Sequence, residues 1–336
     1  MKSLNDLLID LESKSSIDHY ITDDVTEFIE SRFSFIEKAL VQNNPNAHKE
    51  LHCCLYRIYI HWFKAPWEKH NLDSSHLYIS KIRKRLEKIW DESSKEYYSE
   101  YLDLIPDELE NYFAWIKQFV LNHESGVSHP LFKFLETEAN KDQMIEFIRQ
   151  ESPFDLHFSD ILSYLPPGIY GHPRVEIAEN FWDESGNGEV GKTHHRLRTD
   201  LMKTLNLELK QCYRPEEYCW EQIALANLYF KNVLDRKSIP LVLGAMLGTE
   251  MAVPGRMNFV ALGLQRVGLK KEELKYVSEH MVVDVLHAQG WQDNVVQPII
   301  EDHPELKNII TQGLLLRLSY AKKVCDRMLL HLKNFL

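Results

Sequence analysis

The stretch HMVVDVLH, residues 280–287, decides how the chain reads. At about 100° of rotation per residue, His280, Asp284 and His287 fall within roughly 60° of one another on a helix. The residues between them, Met281, Val282, Val283, Val285 and Leu286, are apolar. The segment therefore reads as a largely buried helix with two imidazoles and a carboxylate on one face. Isolated charge is very costly to bury, so such a cluster requires a partner. A metal ion is one solution, since neutral imidazoles and a carboxylate suit iron, manganese or zinc. A polar stripe facing water is the other reading of the same eight residues.

Outward from this segment the chain reads as helical nearly throughout. Residues 23–42 place Val25, Phe28, Ile29, Phe33, Phe35, Ile36 and Leu40 close to helical period, behind two aspartates suited to a helix N-terminus. Similar patterns run through 47–63, 76–93 and 106–122. Later stretches predict helices over 130–139, 141–151, 154–165, 173–185, 194–205, 215–235 and 305–333. Strand-like alternation bounded by Asn-Gly or Asp-Gly turns is absent, and no repeat or low-complexity tract interrupts the pattern. The fold class is all-α. The Gly/Ser/His/Pro cluster NHESGVSHP (122–130) is the best internal boundary. It divides an N-terminal helical region, 1–125, from a C-terminal helical domain, 126–336.

Composition narrows the function. The formal charge is −11, with Lys and Arg outnumbered 39 to 50, which argues against a nucleic-acid partner because a phosphate backbone demands a basic face. No run approaches eighteen consecutive apolar residues, so no membrane span is expected. The start, MKSLNDLLIDLESKSS, sets Asp6, Asp10 and Glu12 inside its apolar run, unlike a signal peptide. A cytoplasmic location is the resulting expectation. Five cysteines without CxxC spacing suit neither a disulfide framework nor a thiolate zinc site, and read mostly as small buried side chains.

Three further stretches bear on the chemistry. In EIAENFWDESGNGEVGKTHH (176–195), Glu184 ends one helix, the glycines interrupt it, and His194 or His195 opens the next. An unbroken helix would set Glu184 and His194 some 80° apart at opposite ends of a long rise; the break lets both turn into one site. In GAMLGTEMAVPGRM (244–257), Glu250 stands among Leu, Met, Ala and Val. There it is a ligand, half of a buried pair, or held neutral. In FIRQESPFDLHFSD (147–160), Glu151 ends an amphipathic helix with Pro153 just beyond it, and Asp155, His157 and Asp160 are rivals for the same role. Together the four stretches offer carboxylates and imidazoles from successive helices in apolar settings, which is how helical bundles build dinuclear iron or manganese centres. The lack of thiolates argues against zinc and iron–sulfur alternatives, and the lack of a Glu-x-x-His pair argues against the ferritin-like version.

The order of these motifs, QES-x-x-D-x-x-F, WDESGNG, TE-x-x-VPGR and EHMVVDVLHAQGW, resembles the haem-oxygenase-like diiron oxidases of the iron-containing redox enzyme family. The resemblance covers about residues 129–333. It implies a seven-helix haem-oxygenase-like bundle with an additional N-terminal helical region. It also implies Glu151, Glu184, His194, Glu250, His280, Asp284 and His287 as ligands to two iron ions, with His195 as rival to His194. By the same resemblance the irons activate dioxygen against a small organic substrate. Members similar to this chain carry out N-oxygenation, desaturation or C–C cleavage of amino acids and amines, and oxidative decarboxylation of fatty acids. An amino-acid-type substrate is the preferred expectation. Arg256 and Arg317 are candidates to meet its carboxylate, although each also reads as a surface or packing arginine. An external reductant and a homodimer are compatible with this reading. Three rival functions stay open: a haem oxygenase with one axial histidine, a thiaminase-like hydrolase working through Cys219, and a non-catalytic helical interaction protein with a vestigial site.

Overall fold

The computed structural model describes residues 3–14, 17–68, 72, 76–280 and 284–335; the side chains of residues 18, 280 and 284–286 are outside the description. The N-terminal region contributes α1 (Leu4–Glu12), α2 (Asp23–Leu40), α3 (Pro45–Tyr59), α4 (Leu77–Ser94), the single turn α5 (Ser99–Leu102) and α6 (Leu109–Asn122). Next come α7 (Pro130–Thr137), α8 (Lys141–Asp155), α9 (Phe158–Ser163), α10 (His172–Glu184), α11 (His194–Thr204) and α12 (Trp220–Val233). The chain ends with α13 (Ile239–Arg266), α14 (Lys275–His280), α15 (Asp284–Gly290), a π-helical turn Trp291–Val296, α16 (Gln297–Asp302) and α17 (Lys307–Lys333). No strand occurs among the described residues, so the all-α reading holds. Local chemistry sets many of the starts. Asn140 and Gln143 form a reciprocal capping box before α8, and Pro45 and Pro130 occupy the first helical positions of α3 and α7.

The core is organised around α13 and α17, which touch backbone to backbone. A Cβ on Gly244 would stand 1.7 Å from the Ile310 carbonyl oxygen, and one on Gly313 would stand 1.8 Å from that of Leu241. Only glycine permits this approach, which holds the turns carrying Glu250 and Arg317 against each other. By length and apolar composition, the helical stretch Arg236–Arg266 would suffice to cross a bilayer. Its apolar side chains instead pack against α7, α12 and α17 within the protein.

The N-terminal helices share this core. α3 lies along α12, with the Asn227 amide donating to the His52 carbonyl at 2.9 Å and the Tyr56 hydroxyl to the Cys212 carbonyl at 3.0 Å. Arg57 pairs with Glu216 at 2.8 Å, and the Trp90 indole donates to the Tyr320 hydroxyl on α17. One apolar cluster runs through both regions, and all five cysteines are buried as free thiols.

Helix ends differ from the sequence reading at several points; α9 spans Phe158–Ser163 rather than 154–165, and two other differences have a visible cause. α8 does not stop before Pro153 but continues through it to Asp155. Proline leaves a helix one N–H short; Arg198 braces the turn around it, donating to the Ile148 carbonyl and to Ser152 Oγ and pairing with Asp155 at 2.9 Å. The expected helix over 215–235 begins only at Trp220. Pro215–Glu217 forms a 3₁₀ turn and Tyr218 is extended, while the Cys219 N–H is taken up by the Gln150 side chain at 2.9 Å.

Candidate metal centre

Four helices present the candidate ligands to one cavity. Glu151 comes from the C-terminal part of α8, Glu184 from the last residue of α10, His194 from the first of α11, and Glu250 from the middle of α13. The Gly-Asn-Gly turn joins the second and third of these. Gly186, Asn187 and Gly188 all adopt positive φ, at 68°, 52° and 83°, the left-handed region that glycine enters without steric cost. A Cβ on Gly186 would lie 2.6 Å from the backbone of Lys192 and Thr193, so the chain doubles back on itself there. Thr193 then caps α11 through the Arg196 N–H. The result brings His194 Nδ1 to 2.6 Å from Glu184 Oε2, with both side chains buried. His195 points outward and is exposed, so of the two neighbouring histidines His194 is the one that reaches the cavity.

A second carboxylate–imidazole pair forms across α13 and α15. His287 Nδ1 faces Glu250 Oε2 at 3.8 Å, while its Nε2 lies 3.1 Å from Asp183 Oδ2 on α10. A carboxylate at Nε2 holds the ring proton there and leaves the Nδ1 lone pair directed at Glu250. His194 is arranged similarly, with Nδ1 toward Glu184 and Nε2 3.4 Å from the Tyr276 hydroxyl.

The cavity between these groups measures about 60 Å³. Besides Glu151, Glu184, His194 and Glu250 its wall includes Asp155, Gln222, Tyr276, Arg256 and Arg317. Two of the three rivals to Glu151 stand elsewhere, since His157 and Asp160 pair with each other at 3.1 Å. Asp155 does reach the wall, where the fully buried Arg198 holds it at 2.9 Å. Electrostatics at the wall are strongly perturbed. Burial and the neighbouring Asp155 push the Glu151 carboxyl up to about 7, against the opposing pull of Arg256, Arg198 and Arg317. Burial alone would lower the His194 imidazole, but the Glu184 carboxylate outweighs it and raises the group above its ordinary value.

The donor set fits a cation. Neighbouring donors on one small ion with bonds near 2.0–2.2 Å lie about 3.0–3.4 Å apart, and the two pairs bracket that span. Among the described residues, no three of His, Cys, Asp and Glu are close enough to hold an ion by themselves. The remaining sequence candidates, His280 and Asp284, have side chains outside the described residues. Both stand on the same segment as His287.

A family model for iron-containing redox enzymes matches residues 145–322, more than half of the chain. The chain belongs to this family. It is accordingly an iron-dependent oxidoreductase of haem-oxygenase-like, all-α architecture. No curated protein matches it. The matched stretch holds every candidate ligand and both candidate arginines, and it lies inside the 129–333 span that the motifs delimit. Sequence reasoning missed Asp183, Tyr276 and the Asp155–Arg198 pair. Asp183 carried a usable signal, because it adjoins Glu184 in WDESGNG; Tyr276 carried none beyond its place four residues before His280.

Proposed function

We propose that Glu151, Glu184, His194, Glu250, His280, Asp284 and His287 hold two non-haem iron ions that activate dioxygen to oxidise a small carboxylate-bearing substrate, an amino acid or amine-containing metabolite. The observation that carries this reading is the pairing of Glu184 with His194 on the cavity wall, and of Glu250, another residue of that wall, with His287. Two such pairs give each of two ions one anionic and one neutral donor. Iron held there supplies the electrons that reduce dioxygen.

The chain's own residues do the rest. Four wall carboxylates, Glu151, Asp155, Glu184 and Glu250, offset the charge of the cations. Asp183 fixes the His287 tautomer, and burial keeps the Tyr276 phenol neutral, so it meets His194 Nε2 as a hydroxyl. Arg317 is fully buried and donates through Nε to Thr249 at 3.1 Å, while its Nη1 makes no hydrogen bond within the protein. Arg256 Nε is likewise buried at the wall without a protein partner. A buried guanidinium N–H lacking an acceptor is costly, and a substrate carboxylate satisfies both. Cys219 does not line the cavity and burial raises its thiol, which sets it against service as a nucleophile.

Anaerobic loading with ferrous iron, followed by dioxygen-uptake measurements with a panel of amino acids, amines and fatty acids, tests the proposal. Iron-dependent uptake accelerated by an amino acid or amine is the expected result. Acceleration by fatty acids alone would move the assignment to oxidative decarboxylation, and no iron-dependent uptake at all would overturn it.

A further inference from the structure

Gln222 lines the ligand cavity but belongs neither to the candidate metal ligands nor to the arginines that meet the carboxylate. It stands in the first turn of α12, is only 4 % exposed, and its Nε2 has no hydrogen-bond partner among the described residues. Buried carboxamides are ordinarily paired, because an orphaned N–H loses its solvation with no bond to replace it. Along α12, Gln222, Leu225 and Tyr229 follow at i, i+3 and i+7 and so share one face. Leu225 lines the cavity beside Gln222. The Tyr229 hydroxyl hydrogen-bonds Thr249, which also accepts from Arg317 Nε at 3.1 Å. Arg317 is therefore anchored at the level of Tyr229, two turns and about 10 Å along the helix axis from Gln222, with an apolar side chain between them.

We propose that Gln222 is a specificity-determining residue whose carboxamide donates to an uncharged oxygen, a hydroxyl or carbonyl, on the side chain of the substrate, remote from its carboxylate. The proposal rests on the reading of the cavity given under Proposed function and adds a second polar group to the substrate class. The substrate carboxylate is held at Arg317 and Arg256, so the group that reaches Gln222 is a different one. Between the two, Leu225 faces a stretch of the substrate to which it offers no hydrogen bond. An acceptor is required because the orphaned atom is a donor. A second carboxylate is disfavoured: four carboxylates already line the cavity, and both wall guanidinium groups are engaged by the first. A side chain ending in a methyl group covers the amide N–H without meeting it. A site built around a hydrogen-bonding group rejects such an analogue more strongly than an apolar pocket rejects a missing methylene.

The test is calorimetric titration of the full-length, ferrous-loaded protein under anaerobic conditions, where no turnover occurs. The ligands are 2-amino acids ending in a hydroxyl, each paired with its methyl-ended isostere: serine with 2-aminobutanoate, homoserine with norvaline, 5-hydroxynorvaline with norleucine, and 6-hydroxynorleucine with 2-aminoheptanoate. The wild type is expected to bind the hydroxyl member about 5- to 100-fold more tightly at one of the longer lengths, and to show no such preference for serine. Gln222→Met, close in volume but without the amide, abolishes the preference and leaves the Kd of the methyl-ended ligands unchanged. No preference at any length in the wild type, or a preference that survives in Gln222→Met, overturns the proposal. So does an equal loss of affinity for both members of every pair in Gln222→Met, the result of a purely structural role or of contact with the substrate carboxylate. Iron per chain and melting temperature are measured on the same samples. Equal, saturable binding of both members by iron-loaded wild type overturns the assignment of Gln222 alone. Iron-loaded protein that binds none of the amino acids overturns the amino-acid reading as well.

Discussion

Replacing Asp183 tests whether His287 faces a metal through Nδ1. Its carboxylate lies 3.1 Å from His287 Nε2. If His287 binds iron, removing this partner frees the ring to rotate, and loss of such an outer partner typically costs about 10–100-fold in metal affinity. The Asp183 side chain is 38 % exposed, so solvent screening weakens its charge and places the effect at the lower end. Asp183→Ala is therefore expected to lower ferrous affinity about tenfold. Asp183→Asn keeps an acceptor and loses the charge, and its effect falls between wild type and alanine. The assay is anaerobic competition against a chromogenic chelator at fixed pH, with Glu179→Ala, an exposed position on the same helix, as control. Melting temperatures of the iron-free proteins should agree within about 2 °C, as for a surface substitution. Unchanged iron affinity in Asp183→Ala would refute the assignment of Nδ1 as the metal-facing nitrogen.

Three other expectations follow from the geometry. His194→Ala should lose iron while His195→Ala retains it, read as bound iron per chain after anaerobic loading and desalting; equal retention would contradict the placement of the pair. Gly244→Ala forces a methyl against the Ile310 carbonyl, a contact no rotamer relieves. An overpacking cost near the 3 kcal/mol end of the usual range, less about 1 kcal/mol of helix propensity, leaves about 2 kcal/mol and a melting drop of about 3 °C, seen by calorimetry. The third concerns pH. The Glu151 carboxyl is pushed up to about 7, so the folded protein holds that proton more tightly than the unfolded chain does. Its contribution to stability is complete below the unfolded value of about 4.3 and is lost as pH rises through about 7. Iron-free wild type should therefore lose stability relative to Glu151→Gln between about pH 4.3 and 7, and apparent ferrous affinity should rise over the same interval. A constant difference in melting temperature between the two proteins across that range would contradict it.

Most of the fold was legible because it is written in periodicity. Helix type and order follow from the apolar spacing and from caps such as Asn140 with Gln143, and only ends controlled by distant partners escaped. Pro153 reads as a stop, yet α8 passes through it because Arg198, some fifty residues on, braces the last turn. The break between Glu184 and His194 was readable because glycines at positive φ announce a reversal. Which of His194 and His195 turns inward depends on the phase of α11, which sequence does not set to within one residue. Asp183 adjoins Glu184 in the sequence, but its pairing with His287, 104 residues away, could not be read there.

The central claim is that two irons share this cavity, and anaerobic titration with ferrous iron tests it most directly. Two equivalents bound per chain in the wild type, falling to one or fewer in both His194→Ala and Glu250→Ala, is the predicted result. A wild-type protein that saturates at one iron or none, or variants that still bind two, would contradict it.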